Sequence, residues 1–420
     1  MERVFVTVVF ISVLLGGCSE PPDASSAADT ESADYAAHAR ELTQRLLIVD
    51  THIDVPYRLY KGFEDVSEAT QTGNFDYPRA IAGGLNAPFM SIFVPADIDA
   101  AGDAKAFADN LIDSIESLVA HAPEKFAIAS CTADVYKISA DGKIALPLGM
   151  ENGGPIEGSF AGLRHFAERG IRYITLTHSK SNHISDSSYD TNEPWAGLSP
   201  FGQTLIPEMN RQGVMVDISH VSDKAFWQVL ELTQTPVIAS HSSLRHFTPG
   251  FQRNMTDDMV VALGENDGVI QITFGSSFLS AATRTYSETT QQALLSFVDA
   301  QHLSEDDPRL LSFAETYLLE HPYPYASVED VLNHIDRVVE LAGIDHVGLG
   351  SDFDGVGDTL PMGLKDVAGF SNLVAGLLRR GYADDDIEKI LSANIMRVWT
   401  QVERYAAAQG NPTQCRQTSG

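Results

Sequence analysis

Eight short apolar runs, most of them separated by stretches of helical periodicity, constrain this chain more than any other feature. They are "LLIVD" (ending at Asp50), "PFMSIFV" (88–94), "KIALPLGM" (143–150), "RYITLTH" (172–178), "VMVDISH" (214–220), "PVIASH" (236–241), "GVIQITF" (268–274) and "HVGLGSD" (346–352). Runs of this length without polar alternation predict strands buried on both faces, the condition of a parallel sheet. Amphipathic stretches such as 103–122, 222–234, 327–343, 369–381 and 384–405 predict the intervening helices, with Ser222 placed to cap one and Gly343 to stop another. Eight is the strand number that closes a (β/α)8 TIM barrel, so the expected fold is α/β, one such barrel with insertions. The insertions fall at 61–87 and at 280–327, the latter long enough for a loop or cover at the barrel mouth.

Chemistry concentrates where those runs end. The first run leads into His52 and Asp54, the third into Glu151 and the fourth into His178, and His220, His241 and Asp352 end the fifth, sixth and eighth. In a (β/α)8 barrel the C-terminal strand ends converge on one mouth, so residues three hundred positions apart would meet there. In extended chain His52 and Asp54 share a side while Ile53 faces away. Neutral imidazole with carboxylate is a ligand set that Zn²⁺ and similar divalent ions accept, and no cysteine stands at a strand end to make a closed thiolate site. A single histidine at a strand end is more often a hydrogen-bonded core residue than a ligand. Four of 13 histidines at four strand ends, with Asp54, Glu151 and Asp352 beside them, make a constellation that no member makes alone. His121, His165, His246, His302, His321 and His334 fall on helices or loops and read as structural. Asp217 is expected to hold a backbone turn or to support a ligand from behind.

The flanks read differently. "MERVFVTVVFISVLLGGCSE" has a basic start, an apolar core too short for an ordinary span, and small residues before Cys18, as in an export signal, here 1–18. "LGGC" resembles a bacterial lipobox, which implies lipidation of Cys18 and, with Ser19 following, an outer-membrane, periplasm-facing location; plain secretion is the alternative. Residues 19–38 read as a flexible polar tether, 39–410 as the catalytic domain and 411–420 as a mobile tail. Cys131 reads as a small buried apolar residue, and the sequence leaves open whether it pairs with Cys415. With 57 acidic residues against 28 basic, a net charge of -29 argues against nucleic acid as a partner and accounts for a well-solvated surface.

"HID" (52–54), "GMENGG" (149–154), "YITLTHS" (173–179), "GVMVDISHVS" (213–222), "PVIASHSSLRHF" (236–247), "QRNMTDD" (252–258) and "VGLGSDFDGV" (347–356) together resemble the membrane dipeptidase (renal dipeptidase) family, in order along the chain. The resemblance implies a barrel of the amidohydrolase type holding two Zn²⁺ per chain. His52 and Asp54 would bind one ion and His220 and His241 the other, with Glu151 bridging. It further implies that His178 contacts the substrate near the scissile carbonyl, that Arg253 clasps the substrate carboxylate, and that Asp352 binds substrate and handles the proton. Asp354, two residues on, stays open as an alternative base. The implied substrates are dipeptides with a free C-terminal carboxylate, including L-D dipeptides, and a homodimer is implied only by analogy. N-acyl amino acids or cyclic amides and esters are an alternative substrate class, and a non-catalytic lipid-tethered binding protein is the alternative outside enzymes. One departure stands out: Gly275 occupies the position of a substrate-contacting tyrosine in mammalian members, which predicts a wider pocket.

Overall fold

The structure is a computed structural model and describes residues 24–303 and 307–416. The expected signal, Cys18 and the first residues of the tether lie outside the described residues. Eight parallel strands form one sheet in the order β1 (Val49–Ile53), β2 (Ala87–Phe93), β5 (Leu148–Glu151), β6 (Ile171–Thr175), β7 (Met215–Asp217), β8 (Ile238–Ser242), β9 (Val269–Ile272) and β10 (Val347–Leu349). The ends of that sheet meet just past β10, where Asp54 N donates to Phe353 O at 2.9 Å and Asp352 N to His52 O at 3.0 Å. The closure makes the (β/α)8 barrel that the eight runs predicted.

The third run is divided by its own proline. Ile144–Leu146 (β4) leaves the barrel to pair with Phe126–Ile128 (β3) in a separate two-stranded sheet, and the barrel strand begins after Pro147. Proline lacks the N–H that a continuous ladder requires, so the break falls there.

Two strands carry an extra residue where they approach the mouth. β1 sets Asp50 opposite Pro88 but Ile53 opposite Met90, and β8 sets Ala239 opposite Ile270 but Ser242 opposite Ile272. Each step covers three residues against two, which is a β-bulge. Val49 therefore packs inside the barrel with Phe89, Tyr173 and Trp399 while Ile53, which a regular strand would put on the same face, packs outside. The bulges turn His52 and His241 toward the mouth. Below them, the helix Asn394–Ala408 closes the opposite end, with Trp399 against Phe89 at 5.2 Å between ring centres.

Three expectations about the flanks and insertions change. The tether reading fails from Ala24 onward, because Ala24–Arg45 is helical. Its alanine- and glutamate-containing sequence favours helix, and Ala39 and Leu42 are fully buried in the main core. Residues 411–416 are not a free tail: Cys415 forms a disulfide with Cys131, and Arg416 N donates to Asp134 at 2.9 Å. Cys131 is thus a bridge rather than an apolar filler. The insertion after β9 builds two helices, Ala281–Gln301 and Pro308–Glu320, joined by stacking of Phe297 on Phe313 at 4.1 Å. No described helix is long and apolar enough to cross a membrane.

Candidate metal centre

The residues that reach the mouth leave the strands at different heights. His52 and Glu151 lie within β1 and β5, and His241 lies in the bulge of β8. His178, His220 and Asp352 each stand three residues beyond their strand, on the loops. His220 and Asp352 take left-handed backbone angles, φ 70° and 65°. That conformation is costly for a residue with a side chain, and here it aims both inward.

Glu151 is at the centre. Its Oε2 lies 3.4 Å from His52 Nε2, while Oε1 lies 3.1 Å from His220 Nε2, 3.2 Å from His241 Nε2 and 3.5 Å from His178 Nε2. Asp54 Oδ2 stands 3.5 Å from His52 Nε2 on the far side. Potential ligand atoms gather in three overlapping groups: His52, Glu151 and His241; Glu151, His178 and His220; His52, Asp54 and Asp352. All five residues expected as ligands are buried. Burial lowers the basicity of His220 and His241 well below the usual imidazole range, which keeps both as neutral donors. Burial pushes the Glu151 carboxyl upward, but the imidazoles of His52 and His178 and the hydrogen bond of His220 outweigh it and hold the group well below the ordinary carboxylate range.

The donor set fits divalent cations. His52 Nε2 and Asp54 Oδ1 are buried without a hydrogen-bond partner, and the Nε2 atoms of His220 and His241 face each other at 2.8 Å. Two imidazole nitrogens converging on a carboxylate oxygen are arranged for a cation between them. From behind, Tyr173 OH meets His52 Nδ1 at 2.8 Å.

A family model described as membrane dipeptidase, peptidase family M19, matches residues 36–413. The chain belongs to the membrane dipeptidase family. Members of this family are metallo-dipeptidases, and hydrolysis is the reaction class. The dipeptidase tcpJ of Claviceps purpurea is 33% identical over 344 residues, spanning 80% of this chain and 71% of that protein. The probable dipeptidase PvdM from Pseudomonas aeruginosa superposes with a TM-score of 0.78 at 28% identity, covering 89% of this chain and 100% of that one. A metallopeptidase from Rhodobacter sphaeroides, liganded with a phosphinate mimic of the dipeptide L-Ala-D-Ala, superposes at 0.70 with 25% identity and covers 85% of this chain and 99% of that one.

As in a small-substrate hydrolase, the membrane dipeptidase mouth opens into a cavity of about 670 Å³ whose wall includes Tyr57, Phe93, Tyr189, Phe278, His178 and Asp352 over a floor of Glu151, His220 and His241. The four aromatics were not singled out in the sequence, because nothing in their local pattern separates a wall residue from a core residue. Phe278 is also the wall residue that packs against Gly275. A β-carbon on Gly275 would come within 2.8 Å of the Phe278 ring, so the ring packs directly on the bare backbone there. Among the described residues the insertion contributes no side chain to the wall.

The remaining predicted residues separate clearly. Asp352 lines the cavity, and burial, with Asp54 and Glu151 adding to it against His52, pushes its carboxyl well above the ordinary range. Asp354 lines the same cavity, but its carboxylate is already taken up: it accepts from Arg58 Nη1 at 2.7 Å and from Asn74 N at 2.5 Å. Arg253 is buried against the wall, its guanidinium 5.6 Å from the centre of the Phe278 ring. Its Nη1 donates to Ser242 Oγ at 2.7 Å and its Nη2 to the His241 carbonyl at 2.6 Å, while Nε has no protein partner.

Proposed function

We propose that this protein hydrolyses the peptide bond of dipeptides that carry a free C-terminal carboxylate, L-D dipeptides included, with two Zn²⁺ per chain. The observation that carries the reading is the position of Glu151, whose two carboxylate oxygens face different imidazoles and so suit a ligand shared between two ions. His52 and Asp54 would hold one ion and His220 and His241 the other. When bound, such ions supply an acidified water and polarise the amide carbonyl.

The chain's own residues supply the rest. Asp352, buried at the cavity edge with a raised affinity for protons, takes the proton of the attacking water on a carboxylate oxygen and returns it to the leaving amine. His178, on the wall beside Glu151, offers an imidazole N–H to the oxygen of the scissile carbonyl as charge develops there. Arg253 has five N–H donors, of which two are spent on Ser242 and His241. Its remaining donors are available to the substrate carboxylate. The phosphinate ligand of the Rhodobacter sphaeroides relative supports a D-residue at the C-terminal position.

The reading extends to location. The chain would be exported, with a lipid on Cys18; the export part of this reading is supported by the Cys131–Cys415 disulfide, because such bridges persist in oxidising compartments.

The test uses the chain from Ser19 onward. About two zinc per chain by elemental analysis, with turnover of L-L and L-D dipeptides abolished by Glu151→Ala, is the expected result. Metal without dipeptide turnover would redirect the substrate search to acylated or cyclic amides, and a chain that takes up no metal would sink the mechanism.

A further inference from the structure

The three imidazoles at the centre are not supported equally from behind. His220 Nδ1 is buried with no partner, and His52 Nδ1 meets a phenol that can donate or accept. His241 Nδ1 meets Ser240 Oγ at 2.8 Å, and that hydroxyl is not free to choose its role.

The constraint originates at Asp217, the last residue of β7, which is fully buried. Its Oδ1 accepts the backbone N–H groups of Ser219 at 3.0 Å and Ser240 at 2.8 Å. Its Oδ2 accepts the hydroxyls of Thr175 at 2.5 Å and Ser240 at 2.6 Å. A carboxylate with donors on both oxygens only accepts. Ser240 has one hydroxyl hydrogen and spends it on Asp217, so its oxygen can only accept from His241. The hydrogen of the His241 ring is therefore on Nδ1, and the lone pair is on Nε2, which faces Glu151 at 3.2 Å.

We infer that Asp217 is a positioning residue which, through Ser240, presets the His241 tautomer that offers Nε2 to a divalent cation. The inference rests on the reading of His241 as a metal ligand. Asp217 touches neither substrate nor ligand atom and acts through the hydroxyl between them. Partners of this kind typically change metal affinity 10- to 100-fold when removed.

Asp217→Asn makes the sharpest test. The two backbone N–H groups hold the amide oxygen at the Oδ1 position, which turns the amide NH₂ toward Ser240. The hydroxyl must then accept from Asn and donate to His241 Nδ1, which moves the ring hydrogen to Nε2, onto the metal-binding atom.

The readout is the tautomer itself, by long-range ¹H–¹⁵N spectra of metal-free protein labelled with ¹⁵N-histidine, the His241 signals assigned through their loss in His241→Gln. Wild type is expected to show the Nδ1–H form and Asp217→Asn the Nε2–H form. Zinc affinity, from competition with a chromophoric chelator, is expected to fall about 10- to 100-fold for one ion in Asp217→Asn. Ser240→Ala, which frees the ring without inverting it, is expected to give mixed tautomers and a smaller loss. A His241 ring without hydrogen on Nδ1 in wild type, or an Asp217→Asn protein with wild-type tautomer and zinc affinity, overturns the inference. A merely structural Asp217 would lower the melting temperature and leave the tautomer unchanged. A wild-type chain that binds no zinc would overturn the functional reading instead, a failure told apart because the tautomer is read without metal.

Discussion

A β-carbon on Gly149 would lie 2.0 Å from Cζ of Tyr173, so the bare backbone of β5 makes the space that the ring on β6 occupies. That ring is fully buried, and its hydroxyl holds His52 Nδ1 at 2.8 Å. Gly149→Ala should therefore act in two places. Overpacking should destabilise the fold by about 1–3 kcal/mol, and the displaced hydroxyl should release His52 and lower metal retention. Urea unfolding and metal content after dialysis would read the two effects. Tyr173→Phe, which keeps the ring and removes only the hydroxyl, should leave most of the stability and lower metal retention alone. Unchanged metal retention in both variants would remove Tyr173 from the support of the site.

Asp352 and Asp354 are two residues apart and should fail in different ways. Both line the cavity, but the Asp354 carboxylate is taken up by Arg58 and Asn74 while that of Asp352 is not. Asp352→Asn should reduce kcat by about 10²- to 10⁴-fold, the usual worth of a positioned acid–base group, with bound metal retained. Asp354→Asn should change kcat less than about tenfold and instead cost about 1–3 kcal/mol, because it weakens the partner of a largely buried guanidinium. Steady-state kinetics and thermal melts on both variants decide this. A kcat collapse in the Asp354 variant alone would exchange the two roles.

The barrel and the convergence of its acids and imidazoles were legible because apolar run length and strand-end chemistry are local properties of the chain. The bulges in β1 and β8 were not, since an extra residue is visible only against the partner strand. The same holds for Pro147: the run "KIALPLGM" reads as one strand until the neighbours show that its first half pairs elsewhere. Tyr173 was within a quoted motif but read as strand filler, because its partner His52 is 121 positions away. Asp217 was read as a support for a turn or a ligand; it bonds Ser219 N at the turn and the Ser240 hydroxyl that lies behind His241. The Cys131–Cys415 pairing spans 284 positions and has no sequence signature. The separation of Asp352 from Asp354 likewise required Asn74 and Arg58, which come from the long stretch before β2.

The disulfide should contribute to stability without touching the chemistry. It joins Cys131, three residues beyond β3, to Cys415, beside a hollow of about 730 Å³ that also includes Arg172 and Gln212, near the starts of β6 and β7. Those strands end at the mouth, so the bridge is at the opposite end of the barrel. Closing a long loop mainly restricts the unfolded chain, with a typical effect of about 2–4 kcal/mol. Replacing both cysteines by serine should lower the melting temperature measured by calorimetry and leave kcat at 25 °C within about twofold. A large kcat loss in a variant that is still folded at the assay temperature would show that the two ends of the barrel are coupled.

His334 should make the mouth sensitive to acid. It is fully buried, its Nδ1 accepts Leu244 N–H at 3.0 Å, and its Nε2–H donates to the Leu279 carbonyl at 3.1 Å. It thereby ties the exit of β8 to the short helix Ser276–Leu279, which carries Phe278 on the cavity wall. Burial, against the Leu279 bond, lowers its pKa from 6.5 to about 4. The folded pKa is below the unfolded one, so between those values the unfolded chain binds a proton that the folded chain refuses. The contribution of His334 is therefore complete above pH 6.5, declines as pH falls through the window, and levels off below about 4. A shift of this size corresponds to roughly 3 kcal/mol over the window. Urea unfolding at steps between pH 7.5 and 4.5 should show a steeper loss for wild type than for His334→Gln, and parallel curves would mean that His334 is not the group responsible.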